Sequence, residues 1–91
     1  MKKELDELIS QMWKNYEADV DDVCEQASAE MPLQSISSSK FLRIRRYLED
    51  TYGIRYWLAD KIKFNPKREY ILWVGKTRGS DPVWGISPVT A

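Results

Sequence analysis

Over the first third of the chain, apolar residues fall at Leu5, Leu8, Ile9, Met12, Tyr16, Val20, Val23 and Ala27. Steps of three and four place them on one stripe of a 3.6-residue helix, which predicts an amphipathic helix over residues 2–28. The opposite side carries Glu4, Glu7, Glu17, Asp21, Asp22 and Glu25, so the segment 1–28 reads as an acidic helix with Cys24 beside its apolar stripe. If the helix breaks, it breaks near Asp19, because Asp and Val are mediocre helix formers. The stripe is longer than a core of this size needs, and it offers a route to a homodimer through the helix.

Pro32 closes that helix or follows its end, and Leu33 and Ile36 anchor a connector of residues 33–38 to the core. Ser37, Ser38 and Ser39 then offer an N-cap to a second helix over residues 40–52, with Phe41, Ile44, Leu48 and Tyr52 as its inner stripe. Gly53 stands where a left-handed residue ends a helix, and Ile54 is placed to fold back onto the last turn.

Beyond Gly53 the period changes to two. Ile54, Tyr56, Leu58, Ile62 and Phe64 share one parity, while Arg55, Trp57, Ala59, Lys61 and Lys63 take the other, which predicts a strand with a bulge near Asp60. Asn65-Pro66-Lys67-Arg68 has Pro where a type I turn wants it, so residues 70–76 are expected to return as the second strand of a hairpin. The register of that hairpin is either Phe64 against Glu69, or Phe64 against Tyr70 with Ile62 against Leu72. A loop with Gly79, Asp81 and Pro82 leads to a short third strand over residues 83–86, and Pro88 marks an edge or a tail. The expected fold is α+β: a long N-terminal helix, a second helix, then a small antiparallel sheet of a hairpin and a short third strand.

Composition narrows the function. A chain of 91 residues with 43% hydrophobic residues has room for one compact domain. There is no His and one Cys, which removes the usual general base near neutral pH and the standard zinc sets, so neither enzyme nor metal site is expected, and no cofactor. The lone Cys24 and a charged N-terminus without a signal-like apolar run are read as cytoplasmic. No apolar run reaches membrane-spanning length, so no membrane association is expected.

The formal net charge of zero hides a polarity: residues 1–35 carry a net −6 and residues 36–91 a net +6. Either the two halves attract each other, or they mark an acidic element and a basic face available to partners.

Three constellations could use those charges. Lys40, Arg43 and Arg46 recur every three residues on the second helix, within reach of phosphates or guanine edges, and Lys67 and Arg68 sit at the hairpin tip. The segment from Ser37 to Ile54, with serines at the helix start, basic residues outside and Gly opening a hairpin, resembles the recognition helix of a winged helix-turn-helix regulator. That resemblance covers residues 37–76 and implies a nucleic-acid-binding regulator whose wing is the hairpin. It also implies a third helix, which the sequence supplies only if the first helix breaks near Asp19.

The second constellation is a strand face bearing Arg55, Trp57, Lys61 and Lys63, joined by Trp73 from the neighbouring strand. Trp beside Lys and Arg on an uncovered face suits base stacking or a protein hot spot, whereas the alternative packs both indoles in the core or under the tail with Trp84. The third is the acidic cluster Glu17, Asp19, Asp21, Asp22 and Glu25, which lacks the Gly of a calcium loop and suits a basic partner, with Asp21 and Asp22 at its centre.

Two shorter echoes carry less. Gly75-Lys76-Thr77 resembles the end of a phosphate-binding P-loop, but the Gly required five residues earlier is Tyr70. Gly53-Ile-Arg-Tyr56 with Trp73-Val-Gly-Lys-Thr77 resembles the strand motifs of GIY-YIG nucleases, whose catalytic Arg and metal-binding Glu stand on later helices for which the 14 residues after Thr77 leave little room. Two functions therefore stand: a nucleic-acid-binding regulator using the basic helix and hairpin tip, or a protein-binding inhibitor or adaptor of the phage-type accessory class, using the acidic helix and the Trp-rich sheet face.

Overall fold

The computed structural model describes residues 1–18, 26–58, 63–65 and 67–89. In chain order they form helix α1 (Lys2–Ala18), strand β1 (Gln26–Leu33), helix α2 (Ser38–Tyr47) running into a π-helical turn (Leu48–Tyr52), and strands β2 (Arg55–Tyr56), β3 (Tyr70–Thr77) and β4 (Val83–Pro88). The class is α+β, and the four strands lie in the order β1-β3-β4-β2. β1–β3 and β3–β4 are antiparallel, while β2 and β4 are parallel, so the sheet is mixed rather than purely antiparallel. No helix among the described residues is long and apolar enough to cross a membrane.

α1 is shorter than its periodicity predicts. Leu5, Leu8, Ile9 and Met12 are buried as the stripe requires, but Gln26–Ser28, expected to be helical, begin β1. β1 alternates outward and inward, with Ala27, Ala29 and Leu33 on the core side. Gln, Ala, Glu and Met favour helices, and alanines give little hydrophobic contrast, so the two-residue period is faint in the sequence. Pairing with eight residues of β3 overrides that local preference. The expected break near Asp19, the place of Cys24 beside the stripe and the helical positions Val20 and Val23 lie outside the described residues. Among the described residues, the segment between the two helices contains a strand where a winged helix has a further helix.

β1 is an edge strand, and its outer edge is blunted. Pro32 has no N–H to offer, and the Ser28 carbonyl accepts a 2.9 Å hydrogen bond from the Asn15 side chain of α1, itself bonded to Gln11.

α2 begins as its serines suggest. The Ser37 hydroxyl accepts from the Lys40 N–H, and Phe41, Ile44 and Leu48 face the core. At the other end Gly53 takes φ 67°, and the Ile54 N–H returns to the Leu48 carbonyl at 3.1 Å. Tyr52 departs from the expected inner stripe: the π turn swings it outward, to 38% exposure.

The predicted hairpin across Asn65–Arg68 does not form. β3 is paired on one side by β1 and on the other by β4, leaving no edge for residues 55–64. The hairpin that exists is β3–β4, turned by Arg78-Gly79-Ser80 with Gly79 at φ 82°. Among the described residues of the predicted strand, only Arg55 and Tyr56 pair, and they pair with Val83 and Trp84. Ile62, Asp60 and Pro66 lie outside the described residues, and Leu58, expected inside, is exposed.

One face of the sheet is covered by both helices. α1 packs on β1 and β3, and α2 closes the β4–β2 end through an aromatic cluster in which Phe41 lies 5.1 Å from Tyr56, 5.5 Å from Trp84 and 5.3 Å from Phe64. This cluster buries the Tyr56 hydroxyl and the Trp84 Nε1 without hydrogen-bond partners. Burial raises the Tyr56 pKa, and the Ile86 backbone lies near enough to offset part of this but not at bonding geometry. Removing an unpaired buried hydroxyl removes a desolvation cost, so Tyr56→Phe is expected to leave stability unchanged or raise it by about 1 kcal/mol in urea denaturation. A clear loss of stability would show that the hydroxyl has a partner.

Candidate binding surface on the open face of the sheet

Strand alternation sends every second side chain away from the helices. Register places Glu30, Trp73 and Gly85 in one row across β1, β3 and β4, with Pro32, Ile71 and Ser87 on one side and Ser28, Gly75, Val83 and Arg55 on the other. Trp57 follows β2 with the parity of Arg55, and its N–H bonds the Trp84 carbonyl at 3.0 Å. No helix among the described residues covers this face.

At its centre the Trp57 and Trp73 rings lie 5.7 Å apart, tilted by 54°. Trp57 is 50% exposed and Trp73 is half-buried. Trp73 is held by a 3.2 Å hydrogen bond from its Nε1 to the Ser87 hydroxyl. The two indoles converge over Gly85: a Cβ built there would overlap the five-membered ring of Trp57 and the six-membered ring of Trp73. Gly85 is thus the floor that lets two indoles from different strands meet, and it is buried beneath them. Trp84, one residue away, points the other way and is fully buried.

The other predicted residues are distributed as follows. Arg55 shares the face with the two indoles and is exposed, and Lys63 is exposed at the start of the segment leading to β3. Lys61, Asp21, Asp22, Asp19 and Glu25 lie outside the described residues. On α2, the Lys40 ammonium donates to the Ser35 carbonyl at 3.0 Å, while Arg43 and Arg46 are exposed. Lys67 and Arg68 are exposed on a turn in which both backbone N–H groups bond Asn65, and Phe64 ties this turn to Phe41 of α2. The basic residues of α2 and of the turn thus lie on elements joined by the core, whereas the indole pair occupies the opposite face.

The acidic and basic halves do not pair through ion bridges among the described residues, where the two bridges are Met1 to Glu4 and Arg45 to Glu49. What joins α1 to the end of α2 is a carboxylate with two phenols. Tyr47, at 2.6 Å, and Tyr52 both donate to the same oxygen of Asp6. The Tyr47 and Tyr52 hydroxyls hold the Asp6 carboxyl below its ordinary range, and the carboxylate in turn raises both phenols. The contacts span 41 and 46 residues, and no spacing rule in the sequence reveals them. Of the apolar stripe that suggested a homodimer, Leu5, Leu8, Ile9 and Met12 enter the core of this chain, while Val20 and Val23 lie outside the described residues.

Searches against protein-family models, curated proteins and solved structures return no match to this chain, so any functional reading rests on these surfaces.

Proposed function

We propose that this chain is a non-enzymatic protein-binding module, an adaptor or inhibitor, that engages its partner through the open sheet face centred on Trp57 and Trp73. The observation that carries the reading is the indole pair itself: two tryptophans 5.7 Å apart on a face no described helix covers. Trp and Arg dominate binding energy at protein interfaces when they sit centrally with a polar rim. Here Ile71, Val83 and Pro32 surround the pair, and Glu30, Ser28, Ser87 and Arg55 form the rim. Among the described residues, one carboxylate and one guanidinium leave this face near neutral, and Glu30 lies in register with Trp73, which disfavours a phosphate backbone there. The partner expected is a protein presenting an apolar projection to the indole pair.

The test is affinity capture followed by reconstitution from purified components. A single stoichiometric partner should bind the wild type and lose at least about tenfold in affinity with Trp57→Ala, a cost typical of a hot-spot residue. The double charge reversal Asp21→Lys with Asp22→Lys should leave binding intact. If the charge reversal abolishes binding and Trp57→Ala does not, the acidic segment is the interface.

A second reading, nucleic-acid binding by Lys40, Arg43, Arg46, Lys67 and Arg68, is favoured by one observation. Among the described residues, Arg43, Arg46, Lys67 and Arg68 are exposed and form no ion pair. It requires affinity for duplex DNA that weakens steeply with salt and falls with Arg43→Ala plus Arg46→Ala, but not with Trp57→Ala.

A further inference from the structure

On the opposite side from the indole pair, the first turn of α1 and the outer side of α2 enclose a groove of about 430 Å³. Binding sites for small organic molecules span roughly 300–1,000 Å³, so this groove has the volume of one small ligand. Its apolar lining comes from Met1 and the Tyr47 ring, with the buried Leu5 and Ile44 at its base, and the charged side chains that line it are Lys2, Lys40 and Arg43, all cations, with no carboxylate among the described residues that line it.

Those cations are positioned, and Lys40 and Arg43 form no ion pair among the described residues. Lys40 is steered by the Ser35 carbonyl, Lys2 sits 5.6 Å above the Tyr47 ring, and Arg43 is exposed with no ion pair among the described residues. Of two acids close by in the fold, Glu4 pairs with the Met1 ammonium at 2.6 Å, and Asp6, held as the anion by the Tyr47 and Tyr52 hydroxyls, attracts Lys2, which leaves Lys40 and Arg43 for a head group. The Asp6 bond also fixes the orientation of the Tyr47 ring, which makes it a preformed wall.

We propose that this groove binds an amphipathic monoanion, a medium-chain carboxylate, with the alkyl chain against Met1 and the Tyr47 ring, above the buried Leu5 and Ile44, and the head group on Arg43 and Lys40. Arg presents paired N–H donors matched to a carboxylate, which makes Arg43 the residue that fixes the head. An apolar floor beneath a cationic rim suits one head group with one tail. A nucleic acid would use the rim and leave the floor unfilled.

The experiment is an amide-resolved NMR titration of the full chain with decanoate below its micelle concentration, beside decyltrimethylammonium, which carries the same tail and the opposite charge. A short DNA duplex forms the third arm. Decanoate should shift the amides of Leu5, Ile44 and Tyr47 saturably, the cationic amphiphile should not, and Arg43→Ala should weaken decanoate roughly tenfold, the effect of one charge-assisted hydrogen-bonded pair. Arg43 is exposed, so this variant keeps its fold, and Lys2→Ala provides a second exposed substitution with a smaller loss in the same direction. Equal binding of both amphiphiles, shifts confined to the Trp57–Trp73 face, no saturable shift, or shifts of the groove amides by duplex but not by decanoate would each overturn the proposal. None of these outcomes depends on whether the sheet face binds a protein.

Discussion

Trp84→Ala is expected to cost about 3–5 kcal/mol, the range for deleting a large aromatic from a core. Trp84 has no exposed surface, lies 4.7 Å from the Tyr56 ring in an edge-on arrangement, and stacks at a tilt on Phe41. It stands on β4, between β3 and β2, where it faces Val74 on one side and Tyr56 on the other. Domains of this kind are stable by about 5–15 kcal/mol in all, so this single change removes a large fraction of the total. Urea denaturation should show the midpoint collapse, while Trp57→Ala, which removes a half-exposed ring, should move it little. A loss below about 1 kcal/mol for Trp84→Ala, the size of an ordinary surface change, would contradict the core assignment.

Gly85→Val tests the other side of the same strand. A Cβ at this position overlaps both indoles, and the branched side chain of Val fills the space beneath them. The rings must part, and Trp57, being half exposed, is the one free to swing out. Overpacking of this kind costs about 1–3 kcal/mol, offset in part because Val favours a strand over Gly. The chain should therefore stay folded by far-ultraviolet circular dichroism while the near-ultraviolet signal of the coupled Trp57–Trp73 pair is lost. Partner affinity should fall as far as it does with Trp57→Ala. Retention of both the coupled signal and full affinity would mean that Gly85 does not set the geometry of the pair.

The parts of the fold legible in the sequence are those governed by local rules. The serines before Lys40, the Phe41–Ile44–Leu48 stripe, the left-handed Gly53 and the return of Ile54 all follow from interactions within a few residues, and each is present. The parity that separates Tyr56 from Arg55 and Trp57 also survives, although the strand containing it is only two residues long. Pairing, by contrast, depends on which distant segment competes best. The turn-like Asn65–Arg68 loses to a β3 already flanked on both sides, and Gln26–Leu33 becomes a strand against the propensity of its own residues.

The candidate site shows the same division. Alternation suggested that Trp57 and Trp73 could share a face, but as neighbours on paired strands. They meet instead across β4, which lies between their strands. The readable signal for that arrangement is a lone glycine flanked by Trp84 and Ile86 within a strand, which marks a close approach by something bulky. The cationic groove was only half visible, as Lys40 and Arg43 on a helix face, because Lys2, Leu5 and Tyr47 reach it through a packing arrangement no local pattern encodes.

The blunted outer edge of β1 sets what kind of assembly the chain can join. An eight-residue edge would normally invite another strand and then another, so that rising concentration lengthens a polymer. With Pro32 offering no donor and Ser28 already bonded to Asn15, growth by strand addition is impeded there, and the opposite edge is two residues long. A partner of a different kind seated on the face fills it: one surface takes one occupant. If the sheet face is the binding surface, abundance of this protein raises the fraction of partner occupied without raising the size of the complex.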